Sequence, residues 1–284
     1  MNVTDLLVAL KMSKFIRSKK GLKILTDNSY KAIDEGAYDV EKYSQRLHDV
    51  LSLKKSVISC DHAPIIAELK FASPSKGLLR GPNMQVTELT QVILNSGVVG
   101  LSILTQPFLF NGSIEHVLEV RKIAAVPILM KDIIVSETQI DAARKIGADC
   151  ILLIKSVFDE GLAEGSLEKL YEYASRAGLQ VLLEVHSEDE FSEVLVNSVK
   201  QRQQLLIGIN NRDLNTLETD ISTTIKLLNK YNKGKNLIVS ESGINEPKDI
   251  QLLRKYGADV FLIGTSIMES NDIASKIKQL YFSI

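Results

Sequence analysis

From Pro64 onward the chain repeats one pattern: a short run of Ile, Leu and Val, a turn, then a longer mixed-charge segment with apolar residues at helical spacing. Eight such runs follow one another: IIAELK from Ile65, VVGLSILT from Val98, PILMKD from Pro127, CILLIK from Cys150, QVLLEV from Gln180, LLIGIN from Leu205, LIVSES from Leu237 and VFLIGT from Val260. Each is short for a helix and too apolar for a strand with one face in water, so each predicts a strand covered on both faces. The intervening segments carry helix patterns. In Ser136 to Ile146, the residues Ile140, Ala143 and Ile146 form one stripe and Gly147 follows as a stop; Gly178 and Gly257 play the same part before later strands. Strand and helix alternating at about 30-residue spacing predict an α/β fold, a closed parallel (β/α)8 TIM barrel. An open doubly wound sheet is the alternative, but no GxGxxG follows the first strand.

The repeat divides the chain. Residues 61–284 are expected to form a single barrel domain, and residues 1–60 a helical extension packed on it. The extension shows a helix-like pattern at Leu6, Leu7 and Leu10 and a basic stretch of Lys11, Lys14, Arg17, Lys19, Lys20 and Lys23. A solvated helical face accounts for that stretch better than an arm for nucleic acid or membrane.

Composition narrows the function. With 284 residues and 45% hydrophobic content the chain can bury one large core. The 34 Lys and Arg balance 35 Asp and Glu, so no overall field attracts nucleic acid or an anionic membrane, and any anion must be held locally. Cys60 and Cys150 lie outside any CxxC pattern, which predicts free thiols and neither a disulfide framework nor a zinc site. The start lacks a signal-peptide cleavage pattern and no apolar run is long enough to span a bilayer, so a cytoplasmic protein is expected.

Polar residues gather at the ends of the predicted strands, where a barrel of this kind builds its site. Strand one ends with Glu68 and Lys70, two apart and therefore on one face; strand three ends with Lys131, strand five with Glu184 and His186, strand six with Asn210, strand seven with Glu241 and Ser242. Charges grouped at a buried mouth are suited to proton transfer near neutral pH. Ser242-Gly243 after strand seven and Gly264-Thr265-Ser266 after strand eight provide small residues where this architecture usually cradles a phosphate. SPSKG from Ser73 is not a P-loop, and reads as a hydroxyl-rich loop able to close over a ligand. His186 is expected as a neutral histidine at the rim. Asp132 should point away from Lys131, toward a helix cap or salt bridge. Lys155 is a strand-end cation without an obvious catalytic task.

The segments IIAELKFASPSKG, LSILTQPFLFNGS, ILMKDIIVSETQI, GADCILLI, LLEVH, IGINNRDLNTLETD, VSESGI and FLIGTSIM, in this order and spread over most of the barrel, resemble the successive motifs of the indole-3-glycerol phosphate synthase family, particularly its archaeal members. The resemblance implies a lyase of tryptophan biosynthesis that closes an indole ring on 1-(2-carboxyphenylamino)-1-deoxyribulose 5-phosphate, a small sugar-phosphate substrate, with loss of carbon dioxide and water. It places the family's general acid on Lys131 and its second acid/base carboxylate on Glu184. Glu68 and Lys70 fall on further catalytic positions. Ser73, Phe110, Asn210, Arg212, Glu241 and Ser242 fall on substrate-binding positions, and Gly243, Gly264 and Thr265 on the phosphate cradle. No metal or organic cofactor has a task in that chemistry, and association with other enzymes of the pathway is an expectation of the same kind.

The chain departs from the family at Ile133, where Phe is usual, and at Phe71 and Ala72, where basic residues are common. Phe110 remains to pack against the substrate's aromatic ring. The competing readings are a sugar-phosphate aldolase using Lys131 or Lys155 as a Schiff-base amine, the pathway's neighbouring isomerase, and a barrel that binds phosphate without catalysis.

Overall fold

The computed structural model describes residues 21–43, 49–70, 72–73, 77–78, 85–200, 204–213, 216 and 218–281. The basic positions Lys11 to Lys20, the residue Phe71 and most of SPSKG lie outside them, as does the side chain of Ser73. Eight parallel strands close into a barrel: β1 (Ile65–Leu69), β2 (Gly100–Leu104), β3 (Ile128–Lys131), β4 (Cys150–Ile154), β5 (Gln180–Val185), β6 (Leu206–Asn210), β7 (Leu237–Glu241) and β8 (Val260–Ile263). Each pairs with its neighbour in sequence, and β8 returns to β1 with Ile65 opposite Phe261. All eight runs read from the hydrophobic pattern are strands. Ala72–Ser73 and Gly77–Leu78 form a small antiparallel pair just beyond β1.

Because side chains alternate across a strand, each β run supplies two packed surfaces. Ile66, Leu129, Cys150, Leu152, Leu182, Leu206, Val239 and Leu262 join one buried cluster inside the barrel. Their sequence neighbours Ile65, Ile128, Met130, Ile151, Leu183, Ile207, Ile238 and Phe261 join the layer beneath the surrounding helices. Glu68, Lys131, Glu184, Asn210 and Glu241 all have the parity of the inner set, so the alternation that fills the barrel also aims these polar groups into its mouth.

The helices start and stop as the sequence prescribes. Helix α3 of the barrel's outer layer, counting after two helices that precede β1, spans Val86–Leu94, and α4 spans Ile114–Arg121 with Ser113 as N-cap. Helix α5 (Glu137–Ile146) begins at Ser136, whose hydroxyl accepts from the Thr138 amide, and ends at Gly147 in the left-handed region at φ 94°. The outer layer continues with α6 (Leu167–Arg176), α7 (Glu188–Lys200), α8 (Ser222–Lys230), α9 (Pro247–Lys255) and α10 (Ile273–Tyr281). Among the described residues no helix is long and apolar enough to cross a membrane.

Among the described residues two helices precede the barrel, α1 (Gly21–Asp34) and α2 (Leu53–Ile58). Leu53 is buried and packs at the start of the barrel against Gly100, where an added Cβ would stand 3.0 Å from its methyl. The backbone just before and at α2 is tied to the strand starts: the Leu51 amide donates to Asp149 at 2.7 Å and the Leu53 amide to Gln180 at 2.7 Å. Asp149 also pairs with Arg121 at 2.8 Å and accepts from the Ile128 amide, so one buried carboxylate joins the extension, α4 and β3. At the other end of the barrel, Leu25 of α1 reaches the mouth and Tyr38 packs there fully buried.

Candidate active site

A cavity of about 300 Å³ opens at the C-terminal ends of the strands. Its walls include Glu68, Lys70, Phe110, Lys131, Glu184, Asn210, Arg212, Ser242, Gly243, Gly264 and Thr265. Eleven of the thirteen positions singled out in the sequence therefore meet around one space. The exceptions are Ser73, whose side chain is outside the described residues, and Glu241, which stands behind the wall.

Lys131 ends β3 at the centre of the charged groups. Its ammonium lies 3.3 Å from Glu184 Oε2 and donates a second, shorter hydrogen bond to Glu241 Oε2. Burial disfavours the ammonium, but Glu241, Glu184 and Glu68 outweigh burial and hold its pKa well above the ordinary lysine value. A Schiff-base nucleophile must be a neutral amine, so this environment opposes the aldolase reading for Lys131. Lys155 is committed elsewhere: it pairs with Asp159 and, at 3.0 Å, with Glu193, beside a groove on the barrel's outer side.

Glu184 and Glu241 face the same ammonium with different protonation tendencies. For Glu184, burial opposes ionisation, but Lys131, His186 and the Asn210 amide at 3.2 Å overcome it and hold the pKa below the usual carboxylate range. For Glu241, burial dominates, Lys131 only partly offsets it, and the neighbouring Glu184 charge adds to it, pushing the pKa up to about 8. Two carboxylates beside one cation are thereby pushed in opposite directions, Glu184 toward ionisation and Glu241 toward a proton. Glu68 is likewise buried, yet Lys70, 2.6 Å away, together with Lys131 holds it ionised.

Two glycines make room for these carboxylates. A Cβ on Gly208 of β6 would overlap Glu241 Oε1, and a Cβ on Gly264 would lie 2.7 Å from Glu68 Oε1. Gly264 was expected as a phosphate position; its lack of a side chain is also required by Glu68. Gly208 escaped the sequence reading, although a glycine inside a strand is itself a sign of close approach.

At the far end of the cavity the loops after β7 and β8 lie together. Ser266 donates to the Ile244 carbonyl at 2.9 Å, joining the two loops. Ser242 and Gly243 both adopt left-handed backbone, φ 67° and 82°, and Asn211 donates to the Ser242 carbonyl at 3.0 Å. Arg212 lies on the same cavity near Glu68, with burial lowering its pKa from the guanidinium value. Leu25, Gln106, Ile133 and Asn245 also line the space. Leu25 carried no signal in the sequence because it lies outside the repeat, whereas Gln106, directly after the second predicted strand, was passed over as an uncharged residue.

His186 stands one residue beyond β5 and is partly buried, with Nε2 3.0 Å from Glu184 Oε1 though not aligned as a hydrogen bond, and its pKa is raised because Glu184, Glu190 and Glu241 outweigh the burial that lowers it, which favours the charged form over the neutral one expected. One expectation needs correction. Asp132 does turn away from Lys131, as parity required. It forms no ion pair or helix cap among the described residues, and is held instead by Tyr38, Thr105 and the Ile133 amide.

Both cysteines are free thiols. Burial pushes Cys150 up to about 12, leaving it unreactive inside the barrel. Cys60 lies with Asp61 and His62 within 4.8 Å of one another just before β1, at the opposite end from the cavity.

The fold is shared with solved phosphate-handling enzymes. 3-Hexulose-6-phosphate synthase from Salmonella typhimurium superposes with a TM-score of 0.59 at 15% identity, covering 76% of this chain and 96% of that one. Thiamine phosphate pyrophosphorylase from Pyrococcus furiosus gives 0.54 at 14% identity, covering 81% and 96%. At such identities only the barrel is shared. Sequence relatives are more specific. The indole-3-glycerol phosphate synthase of Methanocaldococcus jannaschii is 40% identical over 281 residues, 98% of either chain. Those of Desulforamulus reducens and Bordetella pertussis are 37% and 38% identical, covering 80% and 85% of this chain and 82% and 86% of theirs. The model of the indole-3-glycerol phosphate synthase family matches residues 21–280. The chain belongs to the indole-3-glycerol phosphate synthase family, carboxy-lyases of tryptophan biosynthesis.

Proposed function

We propose that this chain closes the indole ring of 1-(2-carboxyphenylamino)-1-deoxyribulose 5-phosphate with Lys131 as general acid and Glu184 as general base. The observation that carries the assignment is the 3.3 Å approach of Lys131 to Glu184 on the wall of a cavity that runs to the paired loops after β7 and β8. Phosphate at Gly243, Gly264 and Thr265 leaves the substrate's ketone end toward Lys131. The aromatic end then extends toward Phe110, Ile133 and Leu25.

In the first step the ring carbon bearing the carboxylate attacks the ketone carbon. Lys131 enters as an ammonium, because its carboxylates keep it protonated, and it delivers hydrogen bond and proton to the oxygen that gains charge. Loss of carbon dioxide returns the bonding pair to the ring. Arg212, Asn210 and Lys70 are suited to hold the substrate carboxylate until that point by charge-assisted hydrogen bonds. In the second step the new hydroxyl leaves as water, taking a proton from Lys70 or from Lys131 once that amine has regained one from solvent, while Glu184 removes the proton whose loss completes the indole double bond. Glu184 is ionised and so ready to accept it. Glu241 acts on Lys131 and not directly on substrate, since it contacts the ammonium from behind the cavity wall.

The free cysteines support a cytoplasmic setting, and residues 21–43 belong to the same working unit as the barrel, because Leu25 lines the cavity and Tyr38 bonds to Asp132. The test is turnover of the purified chain followed by indole fluorescence. Lys131→Ala is expected to abolish it while leaving the fold intact; a near-normal rate would refute the acid assignment.

A further inference from the structure

We infer that Tyr38 and Asp132 form a positioning device for Lys131, through which the segment before the barrel fixes where the acid stands. This inference rests on Lys131 being the acid. Asp132 follows Lys131 directly and is 2% exposed. One of its oxygens accepts from the Tyr38 hydroxyl at 2.8 Å and from Thr105; the other accepts from the Ile133 amide at 2.8 Å. Glu68, Glu184 and Glu241, the buried carboxylates at the mouth, each sit beside a lysine, whereas Asp132 forms no ion pair among the described residues. Burying a carboxylate without a cation is costly, and packing alone would be served as well by an apolar side chain. What the carboxylate provides is three directed bonds, one to the next residue's amide and two to separate parts of the chain, Tyr38 and Thr105.

Those bonds clamp the backbone from the Lys131 carbonyl onward. The Thr105 amide donates to the Lys131 carbonyl at 3.2 Å, while its hydroxyl reaches Asp132. Ile133 is held by its amide to Asp132 and by its carbonyl to the Gln139 side chain at 3.0 Å, and Gln139 also accepts from the Val135 amide. The peptide units that follow Lys131 therefore have little freedom. Among the described residues Tyr38 is the one member of this network from outside the barrel, and it follows the helix whose Leu25 lines the cavity. Its hydroxyl joins the wall supplied by the extension to the strand that carries the acid.

The experiment measures kcat and KM of the full-length chain and of Tyr38→Phe, Asp132→Asn, Asp132→Ala and Lys131→Ala, well below each variant's Tm. Tyr38→Phe is expected to lower kcat about tenfold with KM changed less than about threefold, since small misplacements of a catalytic group act on the chemical step. Asp132→Asn should keep kcat within about threefold: its carbonyl can still accept from Ile133, and its amide can donate to hydroxyls that rotate to accept. Asp132→Ala should lose at least as much as Tyr38→Phe. If Tyr38→Phe and Asp132→Ala lose only Tm while Lys131→Ala is inactive, the positioning role is overturned and the network is merely structural. If Asp132→Asn falls as far as Asp132→Ala, charge and not position is what matters, and the inference is again wrong. Should Asp132→Ala fail to fold, Tyr38→Phe decides alone, because it leaves Asp132 two of its three donors. Turnover surviving in Lys131→Ala would instead sink the acid assignment itself.

Discussion

Lys131 Nζ and Glu184 Oε2 stand 3.3 Å apart although 53 residues separate them, and β4 lies between their strands. Their contact exists only because the barrel closes, which makes it a sensitive point for both chemistry and folding. Glu184→Gln preserves shape and the Asn210 contact but cannot accept a proton. A loss of about 10² to 10⁴ in kcat is expected, the usual range for a general base, with native circular dichroism and little change in KM. Steady-state kinetics decide it; a drop confined to KM would make Glu184 a binding group.

Gly208 should be intolerant of the smallest side chain. Its missing Cβ is the space occupied by Glu241 Oε1. Gly208→Ala must push Glu241 away from Lys131 or strain β6, at a cost of about 1 to 3 kcal/mol in stability by the usual overpacking penalty. Denaturant unfolding and kcat should both show the change, and a variant as stable and active as the parent would mean that Glu241 moves freely.

Ser242 offers a case where stability and binding part company. Its φ of 67° is a conformation that costs an ordinary residue on the order of 1 kcal/mol. Ser242→Gly relieves this strain, partly offset by the freer unfolded chain. Stability is expected not to fall, while KM rises if the hydroxyl or the set of the loop contributes to phosphate binding. Paired thermal melts and KM measurements test this, and a lower Tm would contradict it.

Asp132 gives the chain a pH signature. Burial pushes its pKa up to about 6, against the three hydrogen bonds that lower it. The folded state therefore holds this proton more tightly than the unfolded state, so the group's contribution to stability falls as pH rises from about 4 to about 6 and is level above. Asp132→Asn has no such proton. The variant's stability relative to the parent should rise by on the order of 2 to 3 kcal/mol between pH 4 and pH 7, one pKa unit being about 1.4 kcal/mol. Urea unfolding across that range measures it; parallel curves for parent and variant would show that Asp132 does not titrate there.

Much of this site was legible from alternation alone. Once eight buried runs are aligned, the inward parity of Leu129 and Leu182 assigns Lys131 and Glu184 to one mouth before any coordinates are considered. What parity cannot supply is the identity of neighbours across the barrel. That Glu241 would reach Lys131, or that His186 would stand 3.0 Å from Glu184, depends on the closed geometry. Tyr38 and Leu25 were invisible for another reason. They come from outside the repeat, where no periodicity says which part of the barrel a side chain will reach.

The extension is fastened at two opposite ends of the barrel, by Leu51 and Leu53 to Asp149 and Gln180 among the strand starts and by Tyr38 to Asp132 beside the mouth. A strap held at both ends cannot be trimmed from one side without consequence. Removing the residues before β1 would strip hydrogen-bond donors from two buried aspartates and take Leu22, Leu25, Leu53 and Val57 out of the cluster they share with the inner strand residues, so the bare barrel should be insoluble or only partly ordered.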